Sequence, residues 1–212
     1  GNPSVDSVAY YKEHQAIPKD AFIKEEGLAD KPILALLSGS RKQEIKDNLP
    51  TMLKVASAYP DYQPVIAGAP GIDPAYYQEY IGSYPAKIVF GKTYPLLQHS
   101  AAALVTSGTA TLETALFRVP QVVCYYVVAG QLASFIFKHF FHTKYISLVN
   151  LIGGREIVQE LFGARFSESQ IQDELGRILQ DPAYRKRMLD GYDEIILSLI
   201  HISEPTRRRG IS

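Results

Sequence analysis

Apolar residues fall along this chain in short bursts, separated by longer stretches in which they recur every three or four positions. The bursts read as strands: Pro32 to Leu37, Tyr62 to Ala67, Lys87 to Phe90, Ala102 to Val105 and Gln121 to Tyr126. Between the first two, Ile45, Leu49, Met52, Leu53 and Ala56 share one face of a helix predicted over Glu44 to Tyr59. Pro50 falls inside it and is expected to kink or restart it. Shorter helices are expected at Pro74 to Tyr80, Tyr94 to His99 and Ala110 to Phe117. After the fifth strand the period becomes helical throughout, at Gln131 to Phe141, Glu156 to Phe162, Glu168 to Gln180 and Pro182 to Leu197. Ser167 and Gln170 fit a capping box, and Pro182 suits the first turn of the last helix.

Strands of this length alternating with helices predict an α/β fold. The sheet should be doubly wound and mostly parallel, with helices on both faces. Residues 32–197 read as one domain. Residues 1–31 read as a polar leading, interdomain segment without strong period. Residues 198–212 lose all period after Ile200 and carry three adjacent arginines, so they read as a non-native tail. The opening Gly1-Asn2-Pro3, without Met, predicts that another domain precedes this one.

Composition narrows the function classes. Hydrophobic residues make up 46% and charged residues 21%, ordinary values for a folded domain. Basic and acidic residues both number 22, so no global charge draws the chain to nucleic acid. The single cysteine, Cys124, excludes an internal disulfide and a cysteine-based metal site; it reads as a core residue in a reducing compartment. The longest apolar stretch, Val119 to Phe141, is broken by Gln121, Gly130, Gln131, Lys138 and His139, so no membrane span of about 18 residues is expected. The patch Phe135 to Phe141 could touch lipid or another domain, and burial in its own core is the preferred reading.

In open α/β sheets, ligands collect at the carboxyl ends of strands. Two such ends carry suitable chemistry. Ser38-Gly39-Ser40-Arg41 offers a tight turn, hydroxyl donors and a guanidinium for phosphate, although an ordinary turn would use the same residues. Thr106-Ser107-Gly108-Thr109 precedes a helix whose first amides would face an anion; the same residues could simply cap it. Glu113, one turn further on, suits ribose hydroxyls or a backbone amide. A third cluster, Lys144 to Glu156, places Asn150, Gly153, Gly154, Arg155 and Glu156 in what reads as a lid or base-binding loop, or a plain connection. Neither a dinucleotide fingerprint nor a P-loop is present. His14, His99, His139, His142 and His201 lie beside neither strand-end loop and read as structural or surface residues, not as a metal pair. No catalytic base is identified.

Three blocks together carry a resemblance. They are Leu36-Leu-Ser-Gly-Ser-Arg-Lys-Gln-Glu-Ile45, Ala103-Leu-Val-Thr-Ser-Gly-Thr-Ala-Thr-Leu-Glu113, and Tyr145-Ile-Ser-Leu-Val-Asn-Leu-Ile-Gly-Gly-Arg-Glu156 with Val158 and Glu160. In this order and spacing the chain resembles the lipid-A-disaccharide synthase family over about residues 1–197, and Gly1-Asn2-Pro3 looks like that family's Gly-His-Pro with Asn2 in place of His.

The resemblance implies the C-terminal, Rossmann-like half of a GT-B glycosyltransferase. Such an enzyme moves 2,3-diacylglucosamine from its UDP conjugate to 2,3-diacylglucosamine 1-phosphate and releases UDP, without a cofactor or metal. It further implies that Ser40 and Arg41 lie near the donor diphosphate and that Ser107, Gly108 and Thr109 supply helix-terminal donors. Glu113 would orient the ribose or its loop; Asn150, Gly154, Arg155 and Glu156 would face the nucleotide. The base and the lipid acceptor contacts would belong to a preceding N-terminal half, so this chain alone would be inactive. Cytoplasmic location, peripheral contact with the inner membrane and a homodimer are also compatible with the family. Rival readings are another UDP-sugar enzyme, of the lipid II glycosyltransferase or UDP-N-acetylglucosamine 2-epimerase type, and a non-catalytic nucleotide-sugar-binding module. The Asn150 to Glu156 block speaks against both enzyme rivals.

Overall fold

The computed structural model describes residues 1–106, 108–127 and 144–209, with side chains described to residue 202. The helix expected at Gln131 to Phe141, the patch within it, His139 and His142, and the side chains of Arg207 to Arg209 lie outside the described residues. Among the described residues six strands form one parallel sheet: β1 (Ile33–Leu37), β2 (Gln63–Gly68), β3 (Lys87–Phe90), β4 (Ser100–Val105), β5 (Gln121–Tyr125) and β6 (Glu160–Phe162). Their order is β3-β2-β1-β4-β5-β6, so the chain winds outward from β1 in one direction and from β4 in the other. Ala35 pairs with Val65 on one side and Ala103 on the other, which makes β1 a central strand.

All five residues of β1 are buried, and their alternation explains the two layers. Leu34 and Leu36 face a cluster with Ile45, Leu49, Met52 and Leu53 from α3 (Lys42–Ser57), while Ile33, Ala35 and Leu37 face Phe22, Leu96 and Leu97. A strand covered on both sides cannot alternate apolar with polar, so it appears in the sequence as an unbroken apolar run. Each fully buried Leu or Ile side chain contributes about 1.5–3 kcal/mol relative to exposure.

α3 runs unbroken through Pro50. The helix does not restart there: Pro50 and Lys46, whose carbonyl loses its hydrogen bond, are both exposed, so water can satisfy that carbonyl. The leading segment is also more ordered than its polarity suggests. It forms α1 (Pro3–His14), capped by Asn2 Oδ1 on the Ser4 amide at 2.9 Å, and α2 (Lys19–Glu25). These helices bury Val8, Tyr11 and Phe22, and Tyr11 Oη donates to Gln98 Oε1 at 2.7 Å. Few buried positions per helix leave little periodicity to read.

The helices α4 (Pro74–Ile81), α5 (Thr93–Gln98) and α6 (Thr109–Leu116) occupy their expected places. The expected helix at Glu156 to Phe162 is instead a loop followed by β6. Asn150 Oδ1 takes the amides of Ile157 (2.7 Å) and Val158 (3.1 Å), and the carbonyl of Gln159 accepts from Val123 on β5. Those backbone groups are therefore unavailable to a helix. The preceding stretch, read as a loop, contains α7 (Leu148–Gly153), started by Ser147 and ended by Gly154 in the left-handed region. Two helices follow, α8 (Glu168–Gln180), capped by Ser167 Oγ on the Gln170 amide as expected, and α9 (Pro182–Arg209), which runs across the position where the sequence loses its period. Among the described residues no helix is long and apolar enough to cross a membrane.

Cys124 on β5 is fully buried, and burial pushes its thiol up to about 12. Because the thiolate is the reactive form, the native chain is expected to resist a thiol reagent at about pH 8 and to react fully once unfolded. Labelling followed by mass spectrometry checks this; rapid native labelling would place Cys124 outside the core.

Candidate nucleotide-sugar site

The chain reverses its winding between β1 and β4, so the loops after these strands diverge and leave a crevice. A cavity of about 320 Å³ opens there, at the lower end of small-molecule sites. Its walls come from Gly39, Ser40 and Glu44 after β1, from Gly68 at the end of β2 with Ala69 and Pro70 beyond it, from Thr93 after β3, and from Thr106 and Gly108 to Ala110 after β4. Thr106 holds two of these walls together, since its amide and hydroxyl both donate to the Leu37 carbonyl, at 3.1 and 3.3 Å.

Two glycines set the backbone. Gly39 and Gly108 both have φ near +109°, a region that side chains disfavour. Gly108 is the N-cap of α6 and has no side chain to cap with. Thr111 does not cap either, because its hydroxyl donates to the Gly108 carbonyl at 3.0 Å. Among the described residues no side chain accepts from the first-turn amides of α6 beside the cavity, an arrangement suited to an anion. Capping, the rival reading of this loop, is not what its described residues do.

Ser40, Gly108 and Thr109 are brought together at this cavity. Arg41 does not line the cavity; it is the exposed N-cap residue of α3, adjacent in the chain to Ser40. Ser107 lies outside the described residues. Glu113 does not line the cavity: it accepts from Tyr94 Oη at 3.0 Å and ties α6 to α5. Burial raises the Glu113 carboxyl above its ordinary value, and burial together with this carboxylate pushes the Tyr94 phenol up to about 12.

The third block is not brought to the cavity. β6 runs parallel to β5, so residues ahead of Glu160 lie at the amino edge of the sheet, opposite the crevice. Asn150 is fully buried and spends its side chain on the 157–158 backbone, also donating to the Val158 carbonyl at 2.9 Å. Gly154 ends α7, and Arg155 pairs with Glu194 of α9 at 2.8 Å. Arg155 and Glu156 line a separate cavity of about 300 Å³ with Tyr184 and Arg187. None of Asn150, Gly154, Arg155 and Glu156 lines the crevice cavity; the bonds of Asn150 and Arg155 hold the β6 loop instead. Glu160 completes that anchor, its carboxylate accepting from the amides of Ile146 and Ser147, the latter at 2.6 Å.

Sequence reasoning missed Glu44, Gly68 to Pro70 and Thr93 as cavity residues. Gly68-Ala-Pro70 at a strand end was the available signal; Glu44 was hidden as a routine first-turn acid of α3. A larger cavity, about 580 Å³, opens at the amino ends of β1 to β3, but Leu28, Leu53 and tyrosine rings dominate it and no helix amides converge there. Chemistry, not size, selects the crevice. The described histidines are placed elsewhere: His14 stacks on Tyr10 and His99 Nε2 lies 2.7 Å from the Ile17 carbonyl. Among the described residues no group of three or more His, Cys, Asp or Glu could hold a metal ion.

The family model described as lipid-A-disaccharide synthetase matches residues 1–206. The chain belongs to that family. The lipid-A-disaccharide synthase of Rhodospirillum centenum is 31% identical over 218 residues, covering 99% of this chain and 52% of the relative. That of Anaeromyxobacter dehalogenans is 34% identical over 204 residues, covering 90% and 51%. The chain thus spans about half the length of the lipid-A-disaccharide synthases it matches. Among solved structures, a Staphylococcus aureus MnaA–UDP co-structure superposes with a TM-score of 0.61 at 13% identity, over 100% of this chain and 54% of that one. At that identity the likeness concerns the fold: this synthetase-family chain has the doubly wound half found in such proteins.

Proposed function

We propose that this chain is the donor-binding half of a hexosyltransferase that transfers 2,3-diacylglucosamine from its UDP conjugate to 2,3-diacylglucosamine 1-phosphate, forming lipid A disaccharide and releasing UDP. The observation that carries the reading is the crevice between β1 and β4, where the first turn of α6, capped by no described side chain, faces the Gly39–Ser40 loop across a cavity, in a chain of this family. Departure of UDP puts negative charge on the diphosphate, and fixed amides at a helix N-terminus stabilise that charge without reorganising. Arg41, next to Ser40 in the same loop, adds a guanidinium. The acceptor lipid and the base that deprotonates its hydroxyl are assigned to an N-terminal half; the acyl chains argue for work at the cytoplasmic face of the inner membrane, with a homodimer as a compatible assembly.

Calorimetric titration of this chain with UDP tests the donor site. Binding is expected, and Arg41→Ala is expected to weaken it about tenfold, the worth of one charge-assisted hydrogen bond. Because Arg41 is exposed, its loss should change unfolding stability by no more than about 0.5 kcal/mol. A folded chain that ignores millimolar UDP would sink the reading, and unchanged affinity in Arg41→Ala would remove that residue from it.

A further inference from the structure

The donor cavity has two chemically different walls. The α6 side offers backbone amides; the α3 side carries a carboxylate, Glu44, which lines the cavity beside Gly39 and Ser40. Glu44 is folded back over the loop, for a Cβ on Gly39 would lie 2.6 Å from Glu44 Cβ and 2.8 Å from Oε2. Its backbone carbonyl is used by Asn48 Nδ2 at 2.7 Å, but among the described residues its carboxylate has neither a cation nor a hydrogen-bond donor. The neighbouring cation Lys42 is turned onto the Tyr76 ring at 5.4 Å. In the same loop Ser38 Oγ is buried without a partner among the described residues.

An acceptor-only group cannot bind a diphosphate and repels it. It remains useful in such a cavity if the ligand brings a hydroxyl to it, since a hydroxyl-to-carboxylate bond is among the stronger neutral-to-ion contacts. Glu113, the other carboxylate near this loop, is occupied by Tyr94 and stands outside the cavity.

We infer that Glu44 is the specificity residue that accepts a hydrogen bond from a sugar hydroxyl of the nucleotide-sugar donor, opposite the amides that hold its diphosphate. This inference rests on the donor-site reading above. A nucleotide sugar carries hydroxyls on both sides of the diphosphate, on the ribose and on the transferred hexose, and both present the same chemistry to Glu44.

The test titrates the chain, E44A and E44Q with UDP, 2′,3′-dideoxyuridine diphosphate and UDP-N-acetylglucosamine, with circular dichroism to confirm folding. If the ribose supplies the hydroxyl, E44A binds UDP about tenfold more weakly than the original chain, while the dideoxy compound binds both alike. If the hexose supplies it, UDP binds both alike and UDP-N-acetylglucosamine loses about tenfold on E44A. E44Q, which keeps the shape and a neutral acceptor, falls between in either case. Equal or tighter binding of all three ligands by folded E44A and E44Q would overturn the role of Glu44 and leave the donor site standing. Failure of the original chain to bind any of the three would instead remove the donor site itself, and the inference with it.

Discussion

Asn150→Ala is expected to destabilise the fold by at least about 3 kcal/mol, because it leaves two buried amides and one buried carbonyl without partners at about 1–3 kcal/mol for each unsatisfied group. The amides are those of Ile157 and Val158, at 2.7 and 3.1 Å from Asn150 Oδ1, and the carbonyl is that of Val158. No water reaches this side chain, which is fully buried, so nothing replaces the lost bonds. Urea unfolding measures the effect. UDP affinity of the folded protein should not change, since Asn150 lies toward the opposite edge of the sheet from the cavity. A variant with normal stability and lost UDP affinity would return Asn150 to the donor site.

The largest effect on binding is expected at Gly39. Alanine there must accept φ near +109° and place Cβ 2.6 Å from Glu44 Cβ, a contact that forces the loop or the start of α3 to move. The backbone strain alone is of order 1–3 kcal/mol. Displaced amides no longer meet a diphosphate in a preset geometry, so UDP affinity should fall more than about tenfold. Gly27→Ala is the control: Gly27 also has positive φ, at 63°, but no atom lies within 4 Å of its added Cβ and it is remote from the crevice. It should lose about 1 kcal/mol of stability and no UDP affinity. If Gly39→Ala keeps full affinity, the β1 loop does not hold the donor.

The contrast between these sites shows what could be read in advance. Gly39 to Ser40 and Gly108 to Thr109 were legible as loops that meet at the crevice because strand ends with glycine and hydroxyl residues have a local chemical meaning that survives without a structure. Asn150 to Arg155 looked similar for the same local reasons, yet it does not line the crevice cavity. Asn, paired glycines and Arg beside a helix start serve equally well to hold a loop, and the choice depends on which edge of the sheet the loop occupies. Here that was decided by β6, a three-residue edge strand too short to announce itself.

Glu44 illustrates the same boundary from the other side. A glutamate in the first turn of a helix has an ordinary local explanation, attraction to the helix N-terminus. Only the backward fold over Gly39, and the absence of any described donor to its carboxylate, distinguish it.

By itself, the sequence determined the layered α/β architecture, the buried central strands and the two loops at the crevice. Strand burial and turn chemistry are local properties, written in runs of adjacent residues. Tertiary structure alone decided which of three plausible loops share a cavity, that the polar leading segment packs as helices, and that Asn150 is an anchor. Those outcomes depend on strand order and on which buried amides find acceptors, and both join residues far apart in the chain.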